Sequence, residues 1–92
     1  MSALSQQEVA TRLVTLPSWQ VVSGALERVF KLPDFVAALA FVNQIGTLAE
    51  EAGHHPDIDI RYNRVRIALV THDAGGITAK DFDLAADIDG LA

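Results

Sequence analysis

Three histidines have the greatest chemical reach in this sequence, and all three fall where helices or strands are expected to end. His54 and His55 sit in Gly53-His54-His55-Pro56, and His72 sits in Thr71-His72-Asp73. Imidazole has an ordinary pKa of about 6.5, so it gives and takes protons near neutral pH. Glu50 precedes His54 by one helical turn, and Asp81 follows His72 at the start of a later helix. Histidines beside carboxylates suit general acid–base chemistry. They can also ligate zinc or iron, but the H-x-x-x-H and H-E-x-x-H spacings are absent. Plainer readings stand beside these. A His-His pair after a helix is a common surface loop. Asp81 sits where a carboxylate favours a helix dipole, and Trp19 is a natural core residue. The chain has no cysteine, which excludes thiol nucleophiles, disulfides and zinc ribbons. No G-x-S-x-G motif supports a serine nucleophile. Gly75-Gly76 lacks the lysine and spacing of a phosphate loop.

The elements that must position these residues follow one another with short turns. Residues 5–15 predict a helix, with Ser5 and Glu8 as a capping box and Val9, Leu13 and Leu16 as its apolar stripe. Pro17 ends it. Residues 18–23 and 25–32 predict two strands joined at Gly24. Residues 34–52 predict the longest helix, opened by Asp34 and closed by Gly53. Its expected core stripe is Phe35, Leu39, Val42, Gly46 and Ala49, widened by Ala38, Ile45 and Ala52. Residues 57–62 and 65–71 alternate as strands, with Asn63-Arg64 as the expected turn. Thr78 and Asp81 predict a capping box for a last helix reaching about residue 89. That helix is apolar on two sides, Phe82, Ala85 and Ala86 against Leu84, Ile88 and Leu91, which suggests a partner surface. The order α-β-β-α-β-β-α gives a two-layer α+β domain, a four-stranded antiparallel sheet with three helices on one face. The two strands over 57–71 place the 54–56 loop and the 72–76 turn at one end of the sheet.

Composition narrows the class. The 92 residues carry 7 Lys+Arg and 12 Asp+Glu, a formal net charge of −5, and half are apolar. One globular domain over residues 1–92 is expected. A chain this short buries only about 60–65% of its unfolded surface, so association is a natural support for its thin core. The acidic balance argues against nucleic acid as a partner. No apolar run reaches the roughly 18 residues of a membrane span. Met1 to Leu13 shows no basic stretch followed by an apolar one, so a cytoplasmic protein is expected.

Taken in order, Glu50-x-x-x-His54-His55-Pro56, Tyr62-Asn63-x-Val65 and Thr71-His72-Asp73-x-Gly75-Gly76-Ile77-Thr78-x-x-Asp81-Phe82-x-Leu84-Ala85 closely resemble the signature of the pterin-4a-carbinolamine dehydratases. The likeness runs over about residues 4 to 92 and is strongest from Glu50 onward. It implies four antiparallel strands with three helices, dimers whose sheets join edge to edge, and in some members tetramers held by helices. The implied reaction is loss of water from 4a-hydroxytetrahydropterin, formed when an aromatic amino acid hydroxylase turns over. The pterin is substrate, and no cofactor or metal is implied. Carried over by residue, His54, His55 and His72 match active-site histidines, with proton transfer expected of His54 and His72 and pterin positioning of His55. Glu50 and Asp81 match acidic positions, where a carboxylate orients a neighbouring imidazole. Pro56 and Thr71-His72-Asp73-Ala74 match substrate-contacting stretches, and Trp19 matches an aromatic position that can wall the pocket. Two other readings stay open: a non-enzymatic protein-binding or assembly module on the same fold, and an enzyme acting on another substrate.

Overall fold

The structure is a computed structural model that describes Ser2 to Ala92. Its elements are α1 (Gln6–Leu13), β1 (Gln20–Val22), β2 (Ala25–Lys31), α2 (Phe35–Ala52), β3 (Asp57–Arg61), β4 (Arg64–Leu69) and α3 (Ala79–Asp89), with a single 3-10 turn at His72–Ala74. The strands form one antiparallel sheet in the order β1-β2-β4-β3. Three helices and four strands therefore follow in the expected α-β-β-α-β-β-α order.

Local chemistry explains the ends. Ser5 opens α1 with a reciprocal box: its hydroxyl accepts from the Glu8 N–H at 3.1 Å, and Glu8 Oε1 accepts from the Ser5 N–H at 2.9 Å. The Ser5 backbone N–H, and then its side chain, hold the Glu8 carboxyl below its ordinary range. That stabilisation is present at neutral pH and is lost as pH falls through the lowered value. Asp34 caps α2 by accepting from the Ala37 N–H at 2.8 Å. The turn between β3 and β4 lies one residue earlier than expected. Its residues are Tyr62 and Asn63, because Arg64 already pairs with Arg61. Asn63 is tied to the neighbouring strand instead: its side-chain amide donates to the Leu32 carbonyl at 2.9 Å, and its own carbonyl accepts from the Leu32 N–H at 2.8 Å. The positive φ of 54° falls on Tyr62.

One face of the sheet meets the helices. Register places Leu26 opposite Leu69, and Ile58 and Ile60 opposite Ile67 and Val65. Ala38, Phe41, Ile45 and Ala49 of α2 join them in the core, at the spacing of one helical stripe. Ala38, Ile45 and Ala49 belong to the expected stripe, but its centre is rotated: Phe41 is buried, and Phe35 and Leu39 are exposed. α2 is apolar around most of its girth, so periodicity alone did not choose the buried side. The two apolar sides of α3 lie mostly inside the chain. Phe82, Leu84, Ala85 and Ile88 are all buried within the chain. The helix lies against α2, and Arg12 of α1 lies 6.0 Å from the Phe82 ring.

Trp19 belongs to this core rather than to the histidine end. It meets Phe30 edge-on at 6.1 Å, and its indole N–H donates to Asp89 Oδ1 at 2.8 Å. Arg28, lying 4.1 Å over the Phe30 ring, donates to the same oxygen at 2.6 Å. The pair anchors the end of α3 to the sheet. Trp19→Phe keeps the ring but removes one donor while Arg28 still serves Asp89. It is expected to destabilise the fold by about 1 kcal/mol, read as a lowered midpoint in thermal unfolding.

Candidate active site

The end of α2 fixes the first histidine. Gly53 takes the left-handed conformation, φ 62°, that a side chain adopts only with strain. Its N–H bonds to the Glu50 carbonyl at 3.2 Å, and the His54 N–H bonds back to the Ala49 carbonyl at 3.1 Å. This paired closure satisfies orphan carbonyls and turns the chain sharply, so His54 leaves the helix in a defined direction. The second hairpin does the rest. Asp57 pairs with Ala68, so the chain entering β3 runs beside the chain leaving β4. Past β4, Thr71 bridges to Gly76 with bonds of 3.0 and 3.3 Å, which close a small loop bearing His72 and Asp73.

At the centre lies Asp81, which is 0% exposed. Its Oδ1 meets His54 Nε2 at 2.5 Å. Its Oδ2 accepts from the Thr78 N–H at 2.8 Å and from the Thr71 hydroxyl at 3.0 Å. Thr71 has a single hydroxyl proton, and Asp81 takes it. The 2.7 Å contact between Thr71 and Thr78 hydroxyls is therefore donated by Thr78. Asp81 thus takes two donors at Oδ2 and faces the imidazole with Oδ1. One carboxylate thus does two jobs: it closes the first turn of α3 and it orients an imidazole.

The consequence for His54 is a fixed tautomer. With Asp81 accepting at Nε2, the neutral ring keeps its proton there and presents Nδ1 as an acceptor. Nδ1 makes no hydrogen bond among the described residues. Among the described residues no buried polar side-chain atom lacks a partner, so this nitrogen reaches solvent although the side chain is only 11% exposed. His54 lines a cleft of about 280 Å³. His54, His55, His72, Thr71 and Asp73 all line it.

The other expected residues sort clearly. Glu50 pairs with His55 rather than His54, Oε2 to Nε2 at 2.7 Å, and both are exposed, so the pair orients more than it stabilises. His72 is exposed beside the cleft. Pro56 and Ala74 adjoin lining residues without lining the cleft themselves, and Trp19 lies in the core. Sequence reasoning missed Val70 and Lys80, which complete the wall. Lys80 had a signal: a cation in the first turn of a helix opposes the dipole. A larger groove of about 460 Å³ between α1 and the β1–β2 turn is lined by residues such as Leu4, Val9, Leu13 and Ile77 and holds no titratable side chain. Of the two, only the smaller cleft is lined by titratable side chains. No three His, Asp or Glu side chains converge on a metal position among the described residues. No helix among them is long and apolar enough to cross a membrane.

A small α+β domain with an imidazole held by a buried carboxylate, lining a cleft at one end of its sheet, is the class that fold and site define. The chain belongs to the pterin 4 alpha carbinolamine dehydratase family, whose model matches residues 2–91. It is 59% identical over 91 residues to a protein of Acidobacterium capsulatum that carries the name of that dehydratase provisionally, covering 99% of each chain. A similarly named protein of Chloroflexus aurantiacus is 58% identical over 91 residues, covering 99% of this chain and 98% of the other. Among solved structures, a transcriptional coactivator/pterin dehydratase from Brucella melitensis superposes with a TM-score of 0.94 at 35% identity, over 99% of both chains. A pterin dehydratase-like protein identified as a RuBisCO assembly factor in the alpha-carboxysome superposes with a TM-score of 0.65 at 28% identity, over 80% of this chain and 86% of that one.

Proposed function

We propose that this chain catalyses loss of water from a 4a-hydroxytetrahydropterin, regenerating quinonoid dihydropterin after an aromatic hydroxylation. The observation that carries the reading is His54, held by the buried Asp81 and lining the cleft. The reaction needs two proton movements. The hydroxyl on C4a leaves as water after taking a proton, and N5 loses a proton as its lone pair forms the N5–C4a double bond. His54 and His72 carry these protons, and His55, steadied by Glu50, positions the ring. Asp81 acts through His54. Thr71 has its hydroxyl engaged by Asp81, so the stretch from Thr71 to Ala74 meets the pterin through backbone and the Asp73 side chain, with Pro56 shaping the rim. The reading carries a cytoplasmic homodimer or homotetramer with no cofactor beyond the pterin.

The test follows dehydration of freshly generated 4a-hydroxytetrahydropterin by ultraviolet absorbance, against the spontaneous rate and without added metal. Acceleration at catalytic protein concentration is expected. The RuBisCO assembly factor among the structural relatives favours a second reading, a protein-binding module on the same fold. No acceleration by folded protein, with no pterin bound, would favour that module.

Lys80 gives a separate expectation. As a cation lining the cleft, it is expected to hold a polar edge of the substrate. Lys80→Ala should raise KM about tenfold, equivalent to about 1.4 kcal/mol, with kcat little changed. Its melting temperature should not fall, since the substitution removes a charge that opposes the α3 dipole.

A further inference from the structure

The open face of the sheet, away from the helices, carries charge that the fold does not need. Lys31 lies directly opposite Arg64, and Arg64 directly opposite Arg61. Cross-strand neighbours of this kind point to the same side, about 4.8 Å apart from strand to strand, and like charges so placed oppose folding. None of the three makes an ion pair among the described residues. One register step inward the pattern is different. Arg66 is held by Glu27 at 3.2 Å and by Asp59 at 2.9 Å. A chain with 12 acidic residues and only 7 Lys+Arg leaves three of its cations stacked together without a partner.

A second, independent feature falls at the same end. Tyr62, in the turn between Arg61 and Arg64, has φ 54°, a conformation that disfavours bulky side chains. Glycine or asparagine would be easier there. Its ring is 67% exposed and is not part of the core. Val29, 52% exposed, lines a depression of about 250 Å³ with Asp59, Arg61, Arg64 and Arg66. Strain at an exposed side chain points to a use for that side chain.

We propose that the β3–β4 turn end of the open sheet face docks an acidic segment of a partner protein. Lys31, Arg61 and Arg64 pair with its carboxylates, while Tyr62 and Val29 take an apolar residue between them. Guanidinium forks match carboxylates in geometry, and Tyr and Arg are enriched where interfaces concentrate their energy. The exposed apolar residues and the acidic remainder of the chain favour a protein segment over a nucleic acid, which needs a broader basic surface. The row lies at the far end of β4 from Val70 of the cleft, roughly 20 Å at about 3.3 Å per residue, so docking leaves the cleft open.

The probe is a fluorescein-labelled peptide rich in Glu and Asp with one leucine, compared with its Gln/Asn counterpart by fluorescence anisotropy at low and physiological salt. The acidic peptide is expected to bind, more tightly at low salt, and the neutral one not to bind. The double variant Arg61→Gln/Arg64→Gln should weaken binding about tenfold, the scale of two exposed ion pairs. Tyr62→Asn should weaken it several-fold. Both variants should melt at or above the wild-type temperature and turn over 4a-hydroxytetrahydropterin at the wild-type rate. Four outcomes overturn the proposal: no binding of the acidic peptide, equal binding by the variants, a lowered melting temperature in them, or preference for a single-stranded oligonucleotide of equal charge. A purely structural role would show as the third outcome.

Discussion

Replacing His54 with alanine is expected to slow dehydration of 4a-hydroxytetrahydropterin by about a hundredfold or more, the usual share of a positioned proton-transfer group. Two further variants separate chemistry from folding. His54→Gln can still offer an N–H to Asp81 but cannot exchange a proton near neutral pH. It should be as slow as the alanine variant and melt closer to wild type. His72→Ala should also lose rate. His72 is exposed and makes no side-chain hydrogen bond among those in the structure, so its stability should stay within about 0.5 kcal/mol of wild type. Wild-type turnover in His54→Gln, with folding confirmed by circular dichroism, would remove the imidazole from the mechanism.

That His54 and Asp81 meet was only half legible in the sequence. Gly53 as a helix stop and the clean alternation of residues 57–62 and 65–71 were enough to bring both histidine loops to one end of the sheet. Asp81 was harder, because its cap position already explained it. The structure shows that the two explanations are not rivals. Oδ2 takes the cap and Oδ1 takes the imidazole. Which imidazole Glu50 would meet was not legible, for a different reason. It precedes His54 by one turn, but the helix stops at Gly53, and beyond that stop helical spacing no longer says what faces what.

Trp19 was read through a family likeness, while its indole N–H had a local claim, Asp89, that only the packing of α3 reveals. The stripe of α2 and the two apolar sides of α3 failed because both helices are buried over more than one face. A narrow stripe names its own neighbour, and a broad one does not. Lys80 was missed because a lone lysine on a helix is ordinarily a solvated charge. Only its place in the first turn marked it as unusual.

Asp81 should be the most sensitive position in the chain, and two substitutions there should part company. Asp81→Ala strands the Thr78 N–H, the Thr71 hydroxyl and the His54 Nε2–H at a site with no exposure. Breaking a buried charged contact of this kind costs about 3–5 kcal/mol, a large part of a small domain's stability. Asp81→Asn should fold nearly as well, because its carbonyl can still accept from Thr78 and Thr71. Its amide then faces His54 Nε2 and must donate, so the ring has to carry its proton on Nδ1. The ring's Nδ1 changes from acceptor to donor, a reversal whose scale reaches about ten-thousandfold in a comparable imidazole–carboxylate pair. Nitrogen-15 shifts of the His54 ring report the tautomer directly, with Nδ1 bare in the neutral wild-type ring and protonated in Asp81→Asn. Asp81→Glu, which can restore an acceptor, should recover part of the rate. A folded Asp81→Asn protein with full activity and an unchanged tautomer would reduce Asp81 to a helix cap, and the buried contact to His54 would then have no part in the chemistry.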